Sequence, residues 1–132
     1  QCIVLSLDVR NEGDKLITYT DQGTTACAAL IDLLADIDYN IIGELMITSI
    51  DRDGTGMGLD QLIIDTVGMN QNLKIPFIIS GGTGNSSHLL SGLKCNNVNA
   101  VATSNLFNFV GNGLEIARQN LLDNRIDLAI WK

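Results

Sequence analysis

The sequence is short of the residue types that most often mark a catalytic or metal centre. It has one proline, one histidine, one tryptophan and three cysteines in 132 residues. One histidine and three scattered thiols, Cys2, Cys27 and Cys95, with no Cys-x-x-Cys or Cys/His spacing, cannot supply the usual zinc ligand sets, and no metal or cofactor is expected. The thiols read as reduced core groups, the common state of free cysteine. Cations are scarce too. Eight Lys plus Arg stand against fifteen Asp plus Glu, a formal charge of −7. That leaves no basic surface to neutralise a phosphodiester backbone or an anionic bilayer, so neither nucleic acid nor a membrane is an expected partner. No apolar run approaches the roughly 18 residues of a membrane span and no secretory leader opens the chain, which makes a cytoplasmic location the expectation. The chain begins with Gln1 and reads as apolar strand from residue 2, as a segment cut from a longer polypeptide would.

What is present is hydrophobic and patterned. With 45% hydrophobic residues, residues 1–132 read as one globular domain. Residues 2–7 are apolar apart from Ser6 and end in Asp8, the pattern of a short strand buried on both faces. The run Asn11-Glu12-Gly13-Asp14 is turn-like, and residues 15–20 alternate, which predicts a small hairpin inside a long loop. From Thr25 the period changes: Leu30, Leu33, Leu34 and Ile37 form one helical stripe. Residues 45–50 predict the second strand, followed by Asp51-Arg52-Asp53-Gly54-Thr55-Gly56-Met57-Gly58, with Asp60 placed to cap a helix running to about Met69. Residues 76–80 predict the third strand, closed by Gly81-Gly82-Thr83-Gly84, with Ser86 or Ser87 starting the next helix. Residues 100–104 predict the fourth strand, then a short segment over 105–110 and a last helix over about 114–123. Four successive strand-then-helix units indicate an α/β fold with a parallel sheet.

In such sheets chemistry gathers at the carboxyl ends of the strands, so Asp8, Asp51, Asp53, the glycine turn over 81–84 and Ser104 are expected on one rim. The turn's backbone N–H groups can approach an anion closely and the following helix adds a favourable dipole, although glycines of this spacing also serve as plain turn formers. Ser104-Asn105 would be the second wall of the same pocket. A carboxylate such as Asp8 at the end of an Ile/Val/Leu strand is costly without a partner or a task, the alternative being a loop cap. Asp51 and Asp53 flank Arg52, so one could simply pair with it, or paired acids could serve as general acid and base. His88, just inside a helix behind the glycine turn, reads as a solvated or capping side chain rather than a catalyst, and Met57 and Trp131 read as packing.

The stretch Gly43-Glu44-Leu45-Met46-Ile47-Thr48-Ser49-Ile50-Asp51-Arg52-Asp53-Gly54-Thr55, followed by Gly58 and Asp60, closely resembles the cyclase subunit of imidazole glycerol phosphate synthase. Ser6-Leu7-Asp8-Val9-Arg10, Ile79-Ser80-Gly81-Gly82-Thr83-Gly84 and Ala102-Thr103-Ser104-Asn105-Leu106-Phe107 support the likeness, which covers essentially the whole chain but only the second half, strands five to eight, of that family's (β/α)8 barrel. The resemblance implies a lyase of histidine biosynthesis. Ammonia from a partner glutaminase would convert a phosphoribulosyl-formimino aminoimidazole carboxamide ribonucleotide to imidazole glycerol phosphate and aminoimidazole carboxamide ribonucleotide. Two aspartates serve the family as acid and base; Asp8 matches the second, and the first belongs to the other half. Asp53 matches an acidic substrate-binding position, Gly54, Gly81, Gly82, Ser104 and Asn105 fall on phosphate-binding segments, Thr48 and Ser80 line the pocket, and Glu44 matches a charged gate for ammonia at the barrel floor. Asp51 is implied to orient Arg52 or its loop.

Asn105 replaces a usual serine, Asn108 stands where histidine is frequent, and the wording around Asp8 and over 126–131 looks more like the paralogues found with surface-polysaccharide amidotransferases. That paralogue, the sugar-phosphate isomerase that shares the barrel, and a non-catalytic phosphate-binding half-barrel are the rival readings. Four strands alone would leave an inner face and two edges in water. A complementary N-terminal half-barrel or a second copy of the chain is therefore expected as partner, beside the glutaminase and the phosphorylated nucleotide.

Overall fold

The computed structural model describes residues 2–104, 106 and 111–129. Its elements are β1 (Val4–Glu12), β2 (Lys15–Thr20), β3 (Thr25–Ala29), α1 (Leu30–Asp36), β4 (Glu44–Ser49), α2 (Gln61–Gly68), β5 (Phe77–Ser80), α3 (Ser86–Leu93), β6 (Ala100–Ala102) and α4 (Gly113–Asp123). All six strands join one sheet in the order β3-β2-β1-β4-β5-β6. The four strands β1, β4, β5 and β6 are parallel and lie side by side in chain order, with a helix between each and the next. The fold is α/β, and this sequential parallel order is that of half a (β/α)8 barrel.

Period-2 alternation gives each parallel strand two different faces. Leu5, Leu7 and Val9 of β1, Leu45 and Ile47 of β4 and Phe77 and Ile79 of β5 turn toward the helices, where they meet Leu30 and Leu34 of α1 and Ile63, Ile64 and Val67 of α2. A second cluster joins Leu89 of α3 to Leu106 and to Ala117 and Leu121 of α4. The opposite face carries Val4, Ser6 and Asp8, then Glu44, Met46 and Thr48, then Ile78 and Ser80, then Ala100 and Ala102, and none of these is buried. This corrects the expectation of a first strand buried on both faces: helices cover only one side.

The region after β1 also departs from expectation. Lys15–Thr20 is not a hairpin apart in a loop but pairs antiparallel with β1, which continues through Asn11 and Glu12 to a turn at residues 13–14. Thr25–Ala29, expected as the start of a helix, is a third antiparallel strand on β2, and the helix begins only at Leu30 and ends before Ile37. Pairing to β2 overrides the helical period there. The cysteines are free, but they are not core groups: Cys2 and Cys27 are exposed and Cys95 is half-buried. Met57 does not pack either, being 74% exposed. Asp60 caps α2 as expected, accepting from Leu62 N–H at 3.1 Å, and the helix after the glycine turn starts at Ser86 as expected, capped by Asn85. Among the described residues no helix is long and apolar enough to cross a membrane.

Candidate functional site

Register decides what the open face presents. Asp8 is paired with Thr48, Thr48 with Ser80 and Ser80 with Ala102, so these four residues form one row across the last parallel rungs of the sheet. With strands about 4.8 Å apart, Asp8 and Ser80 lie about 10 Å from each other along that row. Two rungs lower run Ser6, Met46, Ile78 and Ala100. Glu44, paired with Val4, is four residues before Thr48 and stands on the same face at the opposite, amino-terminal end, about 13 Å away. Asp8 itself is exposed and lies within β1 rather than at its end, since β1 outruns the parallel sheet.

Above Ser80 the chain builds a cleft at the carboxyl ends of β4, β5 and β6, lined by Asp53, Gly54, Gly56, Ser80, Gly81, Gly82, Thr83, Ala102, Thr103 and Ser104. Asp53, Gly54, Ser80, Gly81, Gly82 and Ser104 are thus together. Thr48 adjoins Ser80 in the neighbouring strand, Asp8 follows it in the row, and Glu44 is remote. Asn105 lies outside the described residues, as do Asn108 and Trp131.

The cleft is formed by the close approach of two glycine loops. Gly58 N–H donates to Gly82 O at 2.7 Å, and Asp53 N–H donates to Ser49 O at 3.0 Å. Gly81 and Gly82 have φ of +92° and +93°, and a Cβ on Gly82 would lie 2.1 Å from Gly58 O. Here glycine is required twice over, by the left-handed backbone and by the contact. Beneath the loops the buried Asp60 carboxylate also accepts from Ser49 Oγ at 3.2 Å, tying the end of β4 to the start of α2.

Three residues near the cleft carry polar groups beyond those assigned to the site above. Thr83 is 3% exposed, and its Oγ1 has no hydrogen-bond partner among the described residues. Thr103 donates from Oγ1 to Thr83 O at 3.4 Å. A hydroxyl inside an otherwise all-glycine turn was the signal available for Thr83. His88 is half-buried, and its Nδ1 accepts from Gly84 N–H at 3.2 Å. Asp51 does not serve Arg52: it lies 3.7 Å from Arg10 Nε and accepts from Asn11 N–H at 2.7 Å, so it holds the extension of β1. There the Arg10 guanidinium lies 4.7 Å over the Tyr19 ring, and the Tyr19 hydroxyl donates to Glu12, whose carboxylate raises the Tyr19 pKa above its ordinary value.

Residues 1–110 match the profile of the family described as Histidine biosynthesis protein. A protein of Parasynechococcus marenigrum, provisionally named imidazole glycerol phosphate synthase subunit hisF2, is 35% identical over 99% of this chain and 49% of its own length. Proteins named imidazole glycerol phosphate synthase subunit HisF are 30% identical in Chlorobium phaeobacteroides and 28% identical in Pelodictyon phaeoclathratiforme, each over 98% of this chain and 51% of the relative. The chain spans about half the length of these curated relatives.

Proposed function

The chain belongs to the histidine biosynthesis protein family, and we propose on that premise that it forms the carboxyl-terminal half of a cyclase-type imidazole glycerol phosphate synthase barrel. The reaction it would serve joins ammonia from a glutaminase partner to a phosphoribulosyl-formimino aminoimidazole carboxamide ribonucleotide, giving imidazole glycerol phosphate and aminoimidazole carboxamide ribonucleotide. The observation that carries the reading is the in-register row of Asp8, Thr48, Ser80 and Ala102, which leads from an exposed carboxylate into the glycine-lined cleft on the same rim.

In this reading Gly81, Gly82 and Ser104, with Asn105 beyond the described residues, hold one phosphate of the substrate, and backbone N–H groups supply charge-compatible donors that no cation on this acidic chain needs to replace. Gly54 and Asp53 form the facing wall, with Asp53 positioned toward sugar hydroxyls. Thr48 and Ser80 line the floor between cradle and carboxylate. Asp8 exchanges a proton with the substrate during ring closure, alternating with an aspartate of the complementary half. Glu44, at the other end of the open face, belongs to the entrance through which ammonia reaches the same face. The uncovered face and the half-length match to relatives support a complementary amino-terminal half, or a second copy, as the cover for Met46, Ile78 and their neighbours.

The test is Asp8→Asn in the barrel completed by its other half, assayed with ammonia as nitrogen donor. Loss of a general acid–base group is expected to lower turnover by about 10²- to 10⁴-fold while phosphate binding stays close to normal. Turnover equal to the unsubstituted protein would remove Asp8 from the chemistry.

A further inference from the structure

Two consecutive glycines in left-handed conformation, Gly81 and Gly82, leave the turn after β5 with little intrinsic hold on its own shape. Its order comes from tethers. One is the Gly58 N–H to Gly82 O bond at 2.7 Å, and a second is the longer bond from Thr103 Oγ1 to Thr83 O at 3.4 Å. The third comes from α3: His88 reaches back so that Nδ1 accepts from Gly84 N–H at 3.2 Å. A backbone N–H can only donate, so Nδ1 is the acceptor in this contact. The same ring faces the other loop across the space that a Gly58 side chain would take, where a Cβ would be 3.6 Å from Nε2. Asn85, whose side-chain Oδ1 accepts from His88 N–H at 3.0 Å, fixes where the ring starts from, and its Nδ2 lies 3.3 Å from Nε2.

We propose that His88 is a positioning residue for the anion cradle: by accepting at Nδ1 from Gly84 N–H, its imidazole holds the glycine turn in the arrangement that a phosphate group meets. The inference rests on the phosphate-binding reading of the cleft. It also removes one donor from that reading, because Gly84 N–H is committed to the ring and the anion is met by the turn ahead of it.

The experiment is titration of inorganic phosphate into the 132-residue chain, in whatever assembly it adopts, followed by amide NMR, for the unsubstituted chain, His88→Ala and His88→Asn. Asparagine carries Oδ1 on the same Cγ position as Nδ1 and keeps an acceptor for Gly84. Affinity is expected to fall about 5-fold in His88→Ala and to stay within about 2-fold in His88→Asn, the scale of one hydrogen bond that preorganises a site. Alanine is the better helix former, so α3 is expected to gain stability where phosphate affinity is lost, an opposition that a merely structural role does not produce. Imidazole ¹⁵N shifts are expected to show Nδ1 without a proton. Equal affinity in all three chains, an asparagine variant as weak as the alanine one, or a proton on Nδ1 overturns the role of His88. Absence of saturable phosphate binding by the unsubstituted chain overturns the cradle reading, and this inference with it.

Discussion

On one side of Asp8 two glycine loops meet with no room for a side chain between them, and on the other β2 pairs with β1 beneath a set of exposed side chains. Toward β4 and β5, Gly58 N–H meets Gly82 O, and Cβ positions on Gly82 and Gly84 would fall 2.1 Å from Gly58 O and 2.4 Å from Gly56 O, leaving no room for a side chain at Gly82 or Gly84. Toward β2, Arg10, Asp51, Tyr19, Glu12 and Asn11 form a polar network open to water. A main-chain contact this close excludes a side chain at its glycine, whereas exposed ionic contacts are screened and replaceable. The positions closed to substitution therefore sit in the loops that line the cleft, and the tolerant ones sit where the strand only has to be extended.

The largest expected effect comes from breaking the first region. Gly82→Ala places a methyl group 2.1 Å from Gly58 O and 3.0 Å from Arg52 Cβ on a residue with φ of +93°. A backbone clash of that size, added to left-handed strain, is expected to cost about 3 kcal/mol or more in urea denaturation and to abolish phosphate binding. Gly54→Ala is the matched control: φ is +74°, but nothing lies within 4 Å of its Cβ position. That variant is expected to lose only about 1 kcal/mol, the conformational part alone. Equal losses in the two variants would mean that the close approach of the loops contributes nothing.

An intermediate effect is expected at the buried hinge beneath the loops. Asp60 accepts from Leu62 N–H and from Ser49 Oγ and is 6% exposed. Asp60→Ala removes a helix cap and strands the Ser49 hydroxyl, for a loss of about 2 kcal/mol, while Asp60→Asn keeps an acceptor and is expected to lose less than half of that. Thermal unfolding of the two variants side by side measures the difference.

The same contrast explains what could be read from the sequence. The four parallel strands were legible because each is an apolar run closed by a polar or glycine residue, and Asp60 was legible as a cap because it directly precedes a helical period. The grouping of Asp53, Gly82 and Ser104 followed from the rule that strand ends share a rim. Thr25–Ala29 was misread since its small residues carry no strong strand preference and the Leu30 to Ile37 stripe is truly helical from Leu30 on. Cys27 is exposed because β3 is an edge strand, and nothing in the sequence shows that position. The interlock of Gly58 with Gly82, and the turn of His88 toward Gly84, were beyond reach: one is a contact between loops 24 residues apart and the other depends on a ring orientation.

The smallest expected effect lies on the hairpin side, and it is the most exacting check on the comparison. Asp51→Asn removes the charge facing Arg10 but keeps an oxygen for Asn11 N–H, so only the ionic part of the contact is lost. Both side chains are well exposed, at 37% and 41%. For such a pair the loss is expected to be under about 0.5 kcal/mol at low ionic strength. It should vanish near 1 M salt, where the screening length of about 3 Å is shorter than the contact itself. A salt-independent loss above about 1.5 kcal/mol would show the charge to be part of a tightly ordered element, as Asp60 is. The β1 extension would then have to be counted with the glycine loops as a preformed wall of the cleft rather than as a tolerant strand beside it.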